Sequence, residues 1–419
     1  MADGVAVARH VVELLVTGDF DAVTALGVPE FQAAAAGGAI VSGWQTVTAA
    51  CGGVVAVGET TLEPGADGAP GAAPAGDVVV TTLTGERGSF DLRVTLGPGG
   101  LLRGLRYRPH DRWAPPRYAD PDRFIEYDVT VGPGELAVPG TLTVPVGDGP
   151  FPGVVLLAGS GPIDRDETLT PDNKPLKDIA WGLATRGVAA LRFDKITRVN
   201  PRALPADVTV DDEYLPQALG ALHLLREHPA IDGVYLLGHS LGATVAPRIA
   251  TEEPGVRGLI LLAGATEQVH HAALRQIRYL VSLGTTAVDS HPAVVDMAQR
   301  VARIDAPDFS DSIPSDVLPF GAPAAYWRSL IEYDPAATAA ALRIPILLLQ
   351  GGRDYQVTAV DNLPAWRDAL AGCGEATITV YEEDDHQFFV GTGPSTPNGY
   401  LAPQHVDLRV IDDVAAWCR

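Results

Sequence analysis

Cysteine is nearly missing from this chain. Cys51, Cys373 and Cys418 are three among 419 residues, widely spaced and odd in number, with no C-x-x-C pair. That excludes a disulfide framework and a thiolate metal cluster, and reduced thiols in a cytoplasmic protein are expected. Positive charge is also scarce: 30 Lys and Arg face 52 Asp and Glu, a formal charge of -22, with no dense basic run. Such a field repels phosphate backbones and anionic bilayers, so neither nucleic acid nor membrane is expected as a partner. Long apolar runs are missing as well. Val11 to Val16 is too short and interrupted for a signal peptide or a spanning helix. H-E-x-x-H does not occur either, and neither a metal nor a cofactor is expected.

What the chain has is small and apolar: 45 glycines and a hydrophobic content of 46%, enough for a folded protein of two domains. Val5, Ala8, Val11, Val12 and Leu15 recur at helical spacing, and an Ala-rich stretch follows from Phe20 to Ala36. Strands are predicted at Val54–Leu62, Val78–Leu83, Ser89–Leu96 and Leu101–Tyr107, the first two separated by a low-complexity loop at Glu63–Gly71. Residues 1–108 thus read as a small α+β domain. Pro109, Pro115, Pro116 and Pro121 mark a linker at 109–123.

From residue 124 to 419 the pattern changes. Phe124–Val131 and Leu136–Val144 read as a hairpin; Val154–Leu157, Ala189–Phe193, Val234–Leu237, Leu259–Leu262, Ile344–Leu349 and Thr377–Tyr381 are short apolar strands with helix-length segments between most of them. That alternation predicts an α/β fold, a mainly parallel sheet of eight strands covered on both faces. The interval at about 266–341 exceeds a simple crossover and predicts a helical cap.

The run Val234 to Leu237 ends in Gly238-His239-Ser240-Leu241-Gly242, the G-x-S-x-G pattern of a nucleophile elbow. A serine on so sharp a strand-to-helix turn needs neighbours without a Cβ two positions either side, and Gly238 and Gly242 supply them. Its hydroxyl is a poor nucleophile at neutral pH, so the chain must also hold a histidine and a carboxylate to orient it.

These residues resemble the α/β-hydrolase superfamily. More narrowly, Gly159-Ser160-Gly161-Pro162-Ile163-Asp164-Arg165-Asp166, Asn173-Lys174-Pro175, Leu191-Arg192-Phe193-Asp194-Lys195 and Gly391-Thr392-Gly393-Pro394-Ser395-Thr396-Pro397 are similar to bacterial esterases and dienelactone-hydrolase-like proteins near the serine aminopeptidases. The resemblance spans 124–419. The front region, with Trp113-Ala114-Pro115-Pro116, is similar to an uncharacterised domain of nuclear-transport-factor-2-like shape found ahead of such hydrolases. It is a candidate for shaping substrate access or holding a homodimer. The superfamily places its nucleophile after the fifth strand, its acid after the seventh and its histidine after the eighth. That implies Ser240, Asp354 and His386 as the catalytic triad, with His405 and the pair His270-His271 as weaker competitors. Asp384 and Asp385 read as groups that tune the field of His386 or are solvated.

An oxyanion hole is implied at the amide of Leu241, with a second donor from Ser160 or Gly161. One departure stands out: the group often has His-Gly after the third strand, where this chain has Ala158-Gly159, so other contacts must hold that loop. Asp164, Arg165, Asp166 and Lys174 read as ion pairs fixing the rim, with substrate binding as the alternative, and Asp194 and Lys195 likewise read as structural. The expected activity is hydrolysis of a carboxylic ester or thioester of a small-molecule acyl substrate through an acyl-enzyme. An acyltransferase, lyase or peptidase using the same triad, and a non-catalytic binding module, remain the alternatives.

Overall fold

The computed structural model describes residues 2–63, 77–86 and 88–419, so the low-complexity loop beyond Glu63 lies outside the described residues. The chain divides into two compact units, one ending at Arg112 and one beginning at Trp113.

The first unit opens with α1 (Ala2–Thr17), α2 (Phe20–Ala25), α3 (Pro29–Ala35) and α4 (Ala39–Cys51), followed by β1 (Val54–Glu63), β2 (Val78–Gly85), β3 (Ser89–Leu96) and β4 (Leu102–Pro109). The strands form one antiparallel sheet in sequence order. Its core is built by two periods. Ala8, Val11, Val12 and Leu15 share one face of α1, and Phe90, Leu92, Val94 and Leu96 alternate along β3. The Ala-rich stretch is two short helices, and α4 was not evident from sequence because glycines punctuate it. Gly43 inside it has a packing reason: a Cβ there would stand 2.8 Å from the Tyr107 ring.

The second unit holds β5 (Phe124–Val131), β6 (Val138–Pro145), β7 (Phe151–Leu157), β8 (Ala189–Phe193), β9 (Ile231–His239), β10 (Val256–Leu262), β11 (Ile346–Gly351) and β12 (Ala376–Tyr381). They form one eight-stranded sheet in the order β12-β11-β10-β9-β7-β8-β6-β5, parallel from β12 to β8 and closed by the antiparallel β6 and β5. The helices are α5 (Pro175–Thr185), α6 (Ile196–Val199), α7 (Val210–Glu227), α8 (Leu241–Glu252), α9 (Val269–Ser282), α10 (Pro292–Ile304), α11 (Ala324–Ile331), α12 (Pro335–Leu342), α13 (Ala359–Leu370) and α14 (Leu408–Trp417). The expected α/β-hydrolase architecture is present.

Strand residues alternate between the two faces. Val154, Leu156, Ile260, Leu262, Leu347 and Leu349 pack with α5 and α14, while Val155, Leu157, Leu259, Leu261, Ile346 and Leu348 pack with α7, α8, α12 and α13. Both faces are apolar because both are covered. Residues 113–123, read from sequence as linker, make contacts within the second unit: Trp113 Nε1 donates to Asp178 at 2.8 Å, Tyr118 to the Val406 carbonyl at 2.8 Å and the Asp120 amide to Thr185 at 2.9 Å.

Between β10 and β11 lie α9, α10, α11 and α12. The last packs on α8 behind the sheet, so the part of this interval that meets the cavity described below runs from α9 to α11. Adjacent β9 and β7 are where the strand order reverses, the place where parallel sheets open a crevice at their carboxyl ends.

Candidate active site

Ser240 sits between β9 and α8 with φ 54° and ψ -120°, a strained conformation for a residue bearing a Cβ. The turn closes because its flanks are bare. A Cβ on Gly238 would lie 2.3 Å from Gly242 backbone, and one on Gly242 would lie 2.4 Å from the Leu157 carbonyl. Leu241 begins α8, so its amide is among the unpaired donors of a helix start.

Asp354 and His386 come from the loops after β11 and β12, neighbours in the sheet. His386 Nδ1 stands 2.7 Å from Asp354 Oδ2, both buried. The other carboxylate oxygen is fixed by the amides of Gln356 and Val357 at 2.7 and 2.9 Å. Gln350, at the end of β11, donates to Asp354 Oδ2 at 3.3 Å and to the Val357 carbonyl at 2.8 Å. Its role was hidden inside an apolar strand. Among the described residues no hydrogen bond joins the Ser240 hydroxyl to His386.

Ser160, Gly161, Ser240 and Leu241 line one cavity of about 570 Å³, together with Val269, Ala272 and Ala273 of α9 and Tyr326, Trp327 and Leu330 of α11. The lining is chiefly apolar. Its single acid, Glu213, is already committed to Lys195 at 3.0 Å, the Tyr326 hydroxyl at 2.7 Å and Thr197 at 3.1 Å.

Several candidates fall elsewhere. His405 pairs with Asp178 at 3.1 Å, away from Asp354. His270, a competitor for the catalytic base in the sequence, is buried; its Nε2 and that of His271 both lie 3.0 Å from Asp305. These three are the group of described residues whose arrangement could hold a metal, with donor atoms within 4.8 Å of one another. Asp384 and Asp385 are not solvated. Asp385 accepts from the amides of Gln387 and Phe389 at 2.9 and 3.1 Å and so shapes the turn carrying His386. Asp384 is fully buried beside Asp407, and burial with that second carboxyl pushes it up to about 7. At the rim ion pairs form between Arg165 and Asp194 at 3.0 Å and between Lys174 and Asp166 at 3.6 Å, and Arg192, not singled out from sequence, joins Asp166 at 2.8 Å. Lys195 instead turns inward to Glu213.

Sequence reading missed Glu167. It is buried with φ 53°, accepts from the Gly159 amide at 3.0 Å, and faces His239 Nδ1 at 3.0 and 3.1 Å. The other nitrogen of His239 lies 2.8 Å from the His386 carbonyl. Burial alone would push the Glu167 carboxyl up, but His239 and the Gly159 amide hold it below its ordinary value. Burial would likewise push His239 down, yet Glu167 raises it above an ordinary imidazole. His239 is thus more than an elbow residue.

Residues 176–392 match the family model described as serine aminopeptidase, S33. The chain is 39% identical over 338 residues to esterase EstD of Thermotoga maritima, covering 80% of this chain and 78% of that protein. It is 26% identical over 190 residues to acyl-coenzyme A thioesterase 5 of Mus musculus, covering 43% of this chain and 40% of that one. Among solved structures, Est1E from Butyrivibrio proteoclasticus superposes with a TM-score of 0.44 at 15% identity, over 70% of this chain and 98% of that one.

Proposed function

Since the chain belongs to the serine aminopeptidase, S33, family, we propose that it is a serine esterase whose triad is Ser240, His386 and Asp354. It is an enzyme of the α/β-hydrolase superfamily, kin to an esterase over most of its length. The observation that carries the triad is the buried 2.7 Å contact between His386 and Asp354, on loops beside the strained serine turn. Asp354 fixes the tautomer with Nδ1 protonated, which leaves Nε2 as the base.

In the proposed reaction Ser240 Oγ bonds to the acyl carbon as its proton passes to His386 Nε2, and the carbonyl electron pair moves onto oxygen. The amides of Leu241 and Ser160 hold that oxyanion. Collapse breaks the bond to the leaving oxygen, which takes the proton from His386 and departs as an alcohol. Water then loses a proton to His386 and attacks the acyl-serine. The second collapse releases the carboxylic acid and returns the proton to Ser240.

An ester suits the cavity better than a peptide amino terminus. Binding an ammonium would require a free carboxylate in the lining, and Glu213 is already paired on every side. A thioester, the substrate class in the name of the mouse relative, undergoes the same chemistry. A chain of formal charge -22 disfavours coenzyme A phosphates, so oxygen esters are preferred.

Labelling with a fluorophosphonate and turnover of p-nitrophenyl butyrate test the reading. Ser240→Ala is expected to abolish labelling and lower kcat about ten-thousand-fold or more while the protein stays folded. Activity near wild type in that variant would overturn the triad.

A further inference from the structure

The loop after β7 begins Ala158-Gly159, with no histidine to hold it, and something else must do so. Gly159 is gripped at both of its backbone groups by buried charged side chains. Its carbonyl accepts from Lys195 Nζ at 2.8 Å and lies 2.8 Å from the Tyr214 hydroxyl, whose one proton it shares with the Ala158 carbonyl at 3.0 Å, and its amide donates to Glu167 at 3.0 Å. Lys195 is itself completed by Tyr214 at 2.8 Å and Glu213 at 3.0 Å, so its three N–H groups are all spent. Glu167 is completed by His239.

The Gly159 carbonyl and the Ser160 N–H belong to one trans peptide unit and point in opposite directions. Fixing the carbonyl therefore fixes the amide. With the oxygen held by Lys195 and Tyr214, the Ser160 N–H points away from them with no hydrogen-bond acceptor among the described residues, and Ser160 lines the same cavity as Ser240. Gly161 belongs to the next peptide unit, which this clamp does not orient.

We propose that Lys195 and Tyr214, backed by Glu213, are positioning residues that aim the Ser160 amide at the developing oxyanion. The inference rests on the serine-esterase reading of the site and selects Ser160 over Gly161 within it. Folding stability does not account for the arrangement. Buried ion pairs are on average no more stabilising than the apolar residues that could replace them, while a preorganised donor is worth orders of magnitude in rate. Lys195 lies 45 residues before the nucleophile and Tyr214 lies 26 before it, and the fold brings both to a single carbonyl oxygen.

The test compares Tyr214→Phe and the charge-balanced double variant Lys195→Met/Glu213→Gln with wild type. The double variant avoids stranding a buried charge, and Tyr214→Phe changes one hydroxyl, so a fold survives in at least one arm. For p-nitrophenyl butyrate, kcat is expected to fall about tenfold in Tyr214→Phe and about a hundredfold in the double variant, with KM within about twofold. Butylboronic acid, whose tetrahedral adduct on Ser240 places an oxygen in the hole, should lose affinity in parallel with kcat/KM. The pH midpoint of kcat/KM should stay where wild type has it, because His386 is untouched. A purely structural role would lower the amount of folded enzyme without this split. Folded variants with kcat and boronate affinity within twofold of wild type would overturn the proposal alone. Ser240→Ala that still turns over ester would instead overturn the site and the proposal together.

Discussion

The imidazole of His239 faces a carboxylate on one side and a carbonyl oxygen on the other, so both of its nitrogens must carry protons to satisfy them. It is held as an imidazolium against the Glu167 anion. Glu167, depressed in the fold, contributes its stability above its ordinary value of 4.5; His239, raised in the fold, contributes below its ordinary 6.5 and loses that contribution as pH climbs through the raised value. The pair is thus at full strength between those two values. Glu167→Gln should cost about 3 kcal/mol at pH 5.5, and urea unfolding at pH 9 should show a smaller deficit. Asp384 has the opposite sign. A carboxyl pushed from 3.8 to about 7 weakens the fold progressively across that interval. Asp384→Asn should therefore raise the melting temperature by about 2–4 °C at pH 8 and by less at pH 5, as read by calorimetry. The proposed triad of Ser240, Asp354 and His386 could be named from sequence because each follows an apolar strand at a slot that the superfamily resemblance implies. Glu167 and Tyr214 could not, and Lys195 was legible only as an ion-pairing residue, since their partners lie up to 72 residues away.

Among the elements, the strands were the most readable, because runs such as Leu259 to Leu262 are buried on both faces and leave few alternatives to a covered parallel strand. Leu261, fully buried against α8 and its neighbours, should cost about 2–5 kcal/mol when replaced by alanine, measured by denaturant unfolding. Helix α4 escaped because Gly43 interrupts its pattern, and that glycine is there to admit the Tyr107 ring. The cap helices were legible only as an interval too long for a crossover; which residues face the cavity depends on how α9 and α11 roll onto the sheet. Trp327 of α11 forms part of that wall and is fully buried. Trp327→Ala should extend the acyl site and raise kcat/KM for p-nitrophenyl octanoate relative to butyrate about tenfold, measured over a chain-length series.

At the scale of the whole molecule, each unit closes its own hydrophobic core, from Ala8 to Leu102 in the first and from Val131 to Cys418 in the second. The match to EstD covers more residues than the second unit contains, so the kinship reaches into the first. The excess of 52 acidic over 30 basic residues sets a field that any charged substrate must cross. For esters bearing a carboxylate, kcat/KM should rise several-fold between 10 mM and 500 mM salt, whereas neutral esters should show little change; stopped-flow hydrolysis checks it.

The positive φ at Ser240 has a consequence for descent as well as for catalysis. A residue with a Cβ is strained in that conformation, and glycine would sit there without strain. Ser240→Gly should melt at a higher temperature than wild type. A lineage that ceased to hydrolyse would gain stability by drifting to glycine at this one position.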